Sequence, residues 1–268
     1  MNFKTRAESV FFRWLSLPSV VEPVETTVYT DTMLQLFSEK ALPQFSSIER
    51  HAPADIEAAS MRTISSELSA RGISVPKELQ AVVYRAIHAS ADFDYAENLV
   101  FSPDVVPLAK KLLSQKPVIV TDTNMALAGI SKAVCARLEI EAHCFMADED
   151  VCAASKESGL TRAVCSVDKM ARLFGGADGK GKNPFHPVIF VCGNAPTALV
   201  RVRQLHDAGL FSPALVVGVP VGFVNVVSAK ELILQSDIPH IVAKGRKGGS
   251  TIAAAIVNAL LYEEKTGF

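Results

Sequence analysis

The stretch PVIFVCG at 187–193, followed directly by NAPTALVRVRQLHDAG at 194–209, decides the fold. Its apolar residues run without alternation, as in a strand buried on both faces, and a helical segment over 195–208 follows. The same unit recurs outward in both directions. PVIVTD (117–122) precedes a helical stretch over 124–133, and AHCFM (142–146) precedes two pieces within 149–174. ALVVGV (214–219) leads into 225–236, and PHIVAKG (239–245) into 249–264. Five strand–helix units in alternation predict a doubly wound α/β fold on a mostly parallel five-stranded sheet. In such a sheet the ligand lies beyond the carboxyl ends of the strands.

Upstream, ADIEAASMRTISSELSARG (54–72) and PKELQAVVYRAIHASAD (76–92) carry helical periodicity. SPDVVPLAKKLLSQ (102–115) predicts a third helix, with Ser102 as N-cap before Pro103. Residues 1–50 mix prolines, valines and acids without period. They read as an N-terminal extension, expected to be loosely ordered or disordered, ahead of an α/β domain over 51–268. FGGADGKGKNPFHP (174–187) reads as the one long loop.

With 268 residues, 49% of them hydrophobic, the chain has material for a sizeable core. A formal charge of −1 shows no basic excess, which argues against a nucleic-acid partner. The longest apolar candidate for a membrane span, 213–227, is broken by two prolines, two glycines and Asn225. No secretory signal is read at the N-terminus, where Arg13 interrupts the apolar stretch. The five cysteines are odd in number and form no CxxC pair, which predicts buried free thiols in a reducing cytoplasm.

The strand ends offer four turns: TDTNMALAG (121–129), CGNAPTAL (192–199), GVPVGFVNVVSAK (218–230) and KGRKGGST (244–251). Helix N-termini favour anions, and glycines let backbone approach a ligand. The turns supply the candidates Asp122, Thr123, Asn194, Thr197, Gly222, Arg246, Lys247, Gly248, Gly249 and Ser250. The last of them follows neither the phosphate-loop nor the dinucleotide spacing. Together they predict a wide, donor-rich, cationic edge with no single phosphate pocket.

Six histidines occur, none paired at metal-ligand spacing, so no protein-held metal is expected. His51, His186 and His206 read as solvated, and His143 and His240 as satisfied core residues. His88 stands apart. It ends a helical face shared with Tyr84 and Arg85, at a helix C-terminus that favours imidazolium, with Asp92 able to point back and Arg85 opposing. A histidine so poised can deliver a proton near neutral pH.

Several segments together resemble the precorrin-8X methylmutase family of cobalamin biosynthesis. They are IEAASMRTI, RAIHASADFDYAENLVFSPD, TDTNMALAGISK, GLTRAVCSVD, GNAPTAL, GVPVGFVNVVSAKE and GRKGGSTIAAAIVNALLY. The resemblance covers roughly 54–264 and is most like the cobalt-precorrin-8 branch. It implies a flavodoxin-like three-layer sandwich, a homodimer and an intramolecular methyl shift from carbon eleven to carbon twelve of corrinoid ring C. Cobyrinate or hydrogenobyrinate is the product. By the resemblance, His88 of the R-x-x-H helix donates the proton, Arg162 after Thr161 contacts substrate carboxylates, and Arg85 and Ser60 lie near the ligand. No cofactor is implied, since any cobalt arrives within the substrate. The alternative is a non-catalytic corrinoid carrier, and hand-over to the next enzyme of the pathway is a further expectation. Asn225 and Val226 stand where the family usually shows Gly-Ala, which puts the packing of that turn in question.

Overall fold

The structure is a computed structural model and describes Ala52, residues 55–175 and residues 187–262. The extension expected over 1–50, His51, His186 and most of the loop over 174–187 lie outside the described residues. The chain begins with α1 (Ile56–Ala70), α2 (Gln80–Ser90), α3 (Tyr95–Asn98), β1 (Leu99–Phe101) and α4 (Val105–Ser114). Next come β2 (Val118–Thr121), α5 (Asn124–Gly129), α6 (Lys132–Leu138), β3 (Glu141–His143), α7 (Glu149–Ser158) and α8 (Arg162–Phe174). It closes with β4 (Val188–Cys192), α9 (Pro196–Asp207), β5 (Leu215–Gly218), α10 (Val226–Leu234), β6 (His240–Ala243) and α11 (Ser250–Tyr262).

The sheet has six strands in the order β1-β6-β5-β4-β2-β3. All five strands expected from the apolar runs are present, and all pair in parallel. The sixth, β1, pairs antiparallel with β6, Leu99 opposite Ala243. The expectation of five strands is therefore corrected to six. LVF is only three residues between two helices, too short a run to show a strand period.

Every residue of β2, β4, β5 and β6 is buried, as runs without alternation require. Successive side chains of one strand enter different layers. Ile189 and Val191 of β4 join a core with α1, α2, α4, α5, α6 and α11. Val188, Phe190 and Cys192 join a second core with α7, α8, α9 and α10. Helices thus cover both faces of the sheet.

Two local expectations change. Ser102 does not cap α4. Its hydroxyl accepts from the His240 N–H at 2.9 Å, fastening the start of α4 to β6, while Asp104 precedes the helix with φ 54°. The helix expected over 124–133 is broken at Ile130. There Asn258 of α11 donates to the Gly129 carbonyl at 2.8 Å and accepts from the Ser131 N–H at 2.9 Å. One side chain so satisfies the polar groups that the break exposes.

Candidate functional site

The four strand-end turns interlock at the carboxyl edge of the sheet. The Thr123 hydroxyl caps α5 by accepting from the Ala126 N–H at 3.1 Å and bonds the Ser250 hydroxyl at 2.8 Å. The turns after β2 and β6, 127 residues apart in sequence, thereby meet. Gly193 packs so closely on Ser250 that a Cβ would lie 2.7 Å from its Cα. Gly248, with φ 156°, sits against the Val219 carbonyl, which a Cβ would meet at 2.1 Å. Only glycine fits either position. Gly249 donates to Val219 at 2.8 Å, and Gly222 donates to the Arg246 carbonyl at 3.2 Å. Asn225 takes the left-handed conformation with φ 58°. Asparagine enters that region more readily than most residues, so the turn accepts it in place of glycine.

Asp122 has a different place from the one expected of a substrate contact. It is 2% exposed. One carboxylate oxygen accepts from the Gly193 N–H at 2.8 Å, and the other from the N–H groups of Asn194 at 2.7 Å and Ala195 at 2.6 Å. The Cys192 thiol also donates to it at 3.4 Å. The turn after β4 is indeed built to hold an anion, but the chain supplies that anion itself. Burial first, then the Asp122 charge, hold the Cys192 thiol far above its ordinary range. The exposed Asn194 side chain is what this turn leaves for a ligand.

On the β3 side of the edge, the Thr161 hydroxyl caps α8 and bonds the Thr197 hydroxyl of α9 at 3.0 Å. Arg162 is exposed, and its guanidinium donates to the Met146 carbonyl at 3.5 Å, close to the limit of such a bond. Thr161, Arg162 and Thr197 are thus brought together. Five parallel strands set about 4.8 Å apart span roughly 19 Å, so these donors are spread along a wide edge.

At the opposite end, Lys247 clamps two acids. Its ammonium reaches Asp92 at 2.6 Å and pairs also with Asp94. These acids follow α2, whose last turn carries the exposed His88. The clamp holds the end of the His88 helix against the glycine turn after β6. The Asp92 carboxylate is taken up by Lys247 and by the Asp94 N–H at 3.0 Å, a different use from the one its position had suggested, and Lys247 is already committed to two carboxylates. The hydrogen bond from Lys247 holds the Asp92 carboxyl below its ordinary value of 3.8. A depressed carboxyl contributes stability above its unfolded value and loses it as pH falls through the folded one. Acidification below about pH 4 should therefore open the clamp. In urea titrations between about pH 5 and 3, Lys247→Met should lose less stability than the unaltered chain. Identical losses would show that the clamp is idle.

Arg246 is exposed with its guanidinium 5.5 Å from the Phe223 ring centroid, and Phe223 itself is 83% exposed. Arg85 is not at this edge. It pairs with Glu57 of α1 and lies 5.5 Å from the Tyr262 ring at the far end of α11. Ser60 is half-buried on α1. Among the remaining histidines, His240 is buried and bonded to the Ile238 carbonyl at 2.8 Å, as expected of a core residue. His143 is instead partly exposed, stacked 5.6 Å from Phe145 and 3.1 Å from Glu141. His206 is not solvated but held between Asp237 at 2.6 Å and Ser212 at 3.0 Å. Cys135, Cys165 and Cys192 are buried free thiols, whereas Cys144 and Cys152 are only half-buried.

Two residues passed over in sequence matter here. Asp94 completes the clamp, and Lys230 of α10, 1% exposed, donates to the carbonyls of Gly245 at 2.9 Å and Lys247 at 2.8 Å. A lysine within VVSAKELIL, on the face shared with Val226 and Ala229, was the available signal. Among the described residues, no group of three His, Cys, Asp or Glu is placed to hold a metal ion. No helix among them is long and apolar enough to cross a membrane.

Fold and edge together define an α/β protein whose polar strand-end turns gather at the carboxyl ends of its parallel strands. Residues 55–263 match the family model described as precorrin-8X methylmutase, and the chain belongs to that family. It is 42% identical over 183 residues to the cobalt-precorrin-8 methylmutase of Salmonella typhimurium, covering 68% of this chain and 80% of that one. The cobalt-precorrin-8 methylmutase of Leptospira interrogans is 40% identical over 194 residues, covering 70% and 84%. A crystal structure of precorrin-8X methylmutase from Thermus thermophilus superposes with a TM-score of 0.66 at 33% identity, covering 77% and 96%.

Proposed function

We infer that the chain is an isomerase of cobalamin biosynthesis, moving a methyl group from carbon eleven to carbon twelve of ring C in precorrin-8X or cobalt-precorrin-8. Family membership supports the reaction class. The observation that carries the site is the clamp that holds the helix bearing His88 beside the glycine turn. His88 donates a proton to the ring C nitrogen. That draws electron density from the neighbouring carbons and loosens the bond to the migrating methyl group. The methyl never leaves the substrate, so no external cofactor is required, and cobalt, where present, belongs to the substrate.

The acetate and propionate groups around the ring call for separated donors. Arg162, Arg246, Asn194, Thr161 and Thr197 supply them with side chains at the edge. The parallel strands, counted in chain order, run 2-1-3-4-5, which supports a flavodoxin-like reading of the sheet. A homodimer working in the cytoplasm completes the proposal, with hand-over of the product to the next enzyme.

An arginine can hold a carboxylate by two parallel hydrogen bonds, and its loss removes binding shared by ground and transition states. Arg162→Ala should therefore raise the substrate Kd about tenfold, with the single-turnover rate changed less. An unchanged Kd would remove Arg162 from the binding surface.

A further inference from the structure

Lys230 is a charged side chain buried under the edge, and the methyl shift described above gives it no task. Its ammonium donates to the carbonyls of Gly245 and Lys247, while the carbonyl between them, that of Arg246, accepts from Gly222. No peptide bond among the described residues is cis. In a trans peptide the C=O and the following N–H point in opposite directions. With two carbonyls drawn down onto Lys230, the N–H groups of Arg246 and Gly248 face away from it, and neither has an acceptor among the described residues. Gly245 and Gly248 make this geometry possible, with φ 73° and 156°.

We propose that Lys230 is a positioning residue of the corrinoid site, which aims the Arg246 and Gly248 N–H groups at a substrate carboxylate and sets a positive charge beneath them. Backbone N–H groups that turn to one side of such a loop can make an anion site, and a cation under them strengthens it. The inference rests on the function proposed above.

Burial lowers the Lys230 pKa from 10.5 to about 8. The neighbouring elements bring few rival charges. The Cys192 thiol of β4 stays protonated, and Arg203 of α9 is paired with Asp207. His240 of β6 is bonded to backbone, Lys247 is paired with Asp92 and Asp94, and Glu231, Lys244 and Arg246 complete the set. The sign of the effect differs for binding and for stability. Above about pH 8 the native amine loses its proton, and the attraction for carboxylate falls. Over the same range the unfolded chain still binds that proton, so Lys230 itself adds stability with rising pH until about 10.5, against the loss from the Cys135, Cys144 and Cys192 thiols, which burial keeps protonated in the native chain.

The test measures the Kd of hydrogenobyrinate by absorption, together with urea stability, from about pH 7 to 9.5. The unaltered chain should lose affinity about tenfold while its stability rises relative to that of Lys230→Arg, whose charge does not titrate. Lys230→Met should bind weakly at neutral pH, with a Kd that no longer changes over the range. Lys230→Arg, charged throughout, should hold its affinity to the alkaline end. If Lys230→Met does not fold, the opposed trends in the unaltered chain and the arginine variant still decide. Normal neutral affinity in Lys230→Met, or a pH-independent Kd in the unaltered chain, would overturn the role of Lys230 and leave the methyl shift standing. Absence of both corrinoid binding and turnover at every pH would overturn both.

Discussion

His88→Ala should leave a protein that binds the corrinoid and fails to move its methyl group. The side chain is exposed in the last turn of α2, outside either core. Alanine is the better helix former, so the substitution keeps α2 intact. The Lys247 clamp and the donors of Arg162 and Arg246 remain, and substrate affinity should change little. What goes is the proton donor. Positioned acid catalysis contributes about 10²–10⁴-fold, so the single-turnover rate should fall by at least about 10²-fold with Kd nearly unchanged. Equal loss of affinity and rate would make His88 a binding residue. Full turnover would remove it from the mechanism.

Asp122→Ala should damage stability more than any substitution of an exposed site residue. The carboxylate is buried and serves three backbone N–H groups of one turn. Removing it strands all three at the point where Gly193 packs on Ser250. Each stranded donor costs about 1–3 kcal/mol, and water entering the gap recovers part, so a loss of about 3–5 kcal/mol is expected. Urea unfolding reads this directly, as a fall in the midpoint. The same variant should bind substrate poorly, because Asn194 and Thr197 are placed by that turn. A loss below about 1 kcal/mol would mean that the three N–H groups find other acceptors.

The legible part of this fold followed from burial on both faces. VIVT, VIFVC, LVVG and HIVA are buried at every position and apolar at all but Thr121 and His240, so each announced a central parallel strand. β1 escaped because three residues cannot display a period, and its identity depends on pairing with β6, far along the chain. Within the site, the sequence located the turns but not their partners. Asp122 reads as an open donor-side acid until the backbone N–H groups 71 to 73 residues later are seen to surround it. Lys247 reads as a free cation until Asp92, 155 residues earlier, is brought against it. Arg85 shares a helix with His88, yet its reach carries it to Glu57 and Tyr262. Local pattern assigns chemistry to a residue type, whereas long-range closure decides which of those groups are already spent.

The most direct measurement follows the absorption spectrum of precorrin-8X and of cobalt-precorrin-8 on incubation with the purified chain. At least one of them should be converted to hydrogenobyrinate or cobyrinate, in excess over protein, and His88→Ala should convert it at least about 10²-fold more slowly. A corrinoid held tightly with its methyl group unmoved would contradict the account and make the protein a carrier.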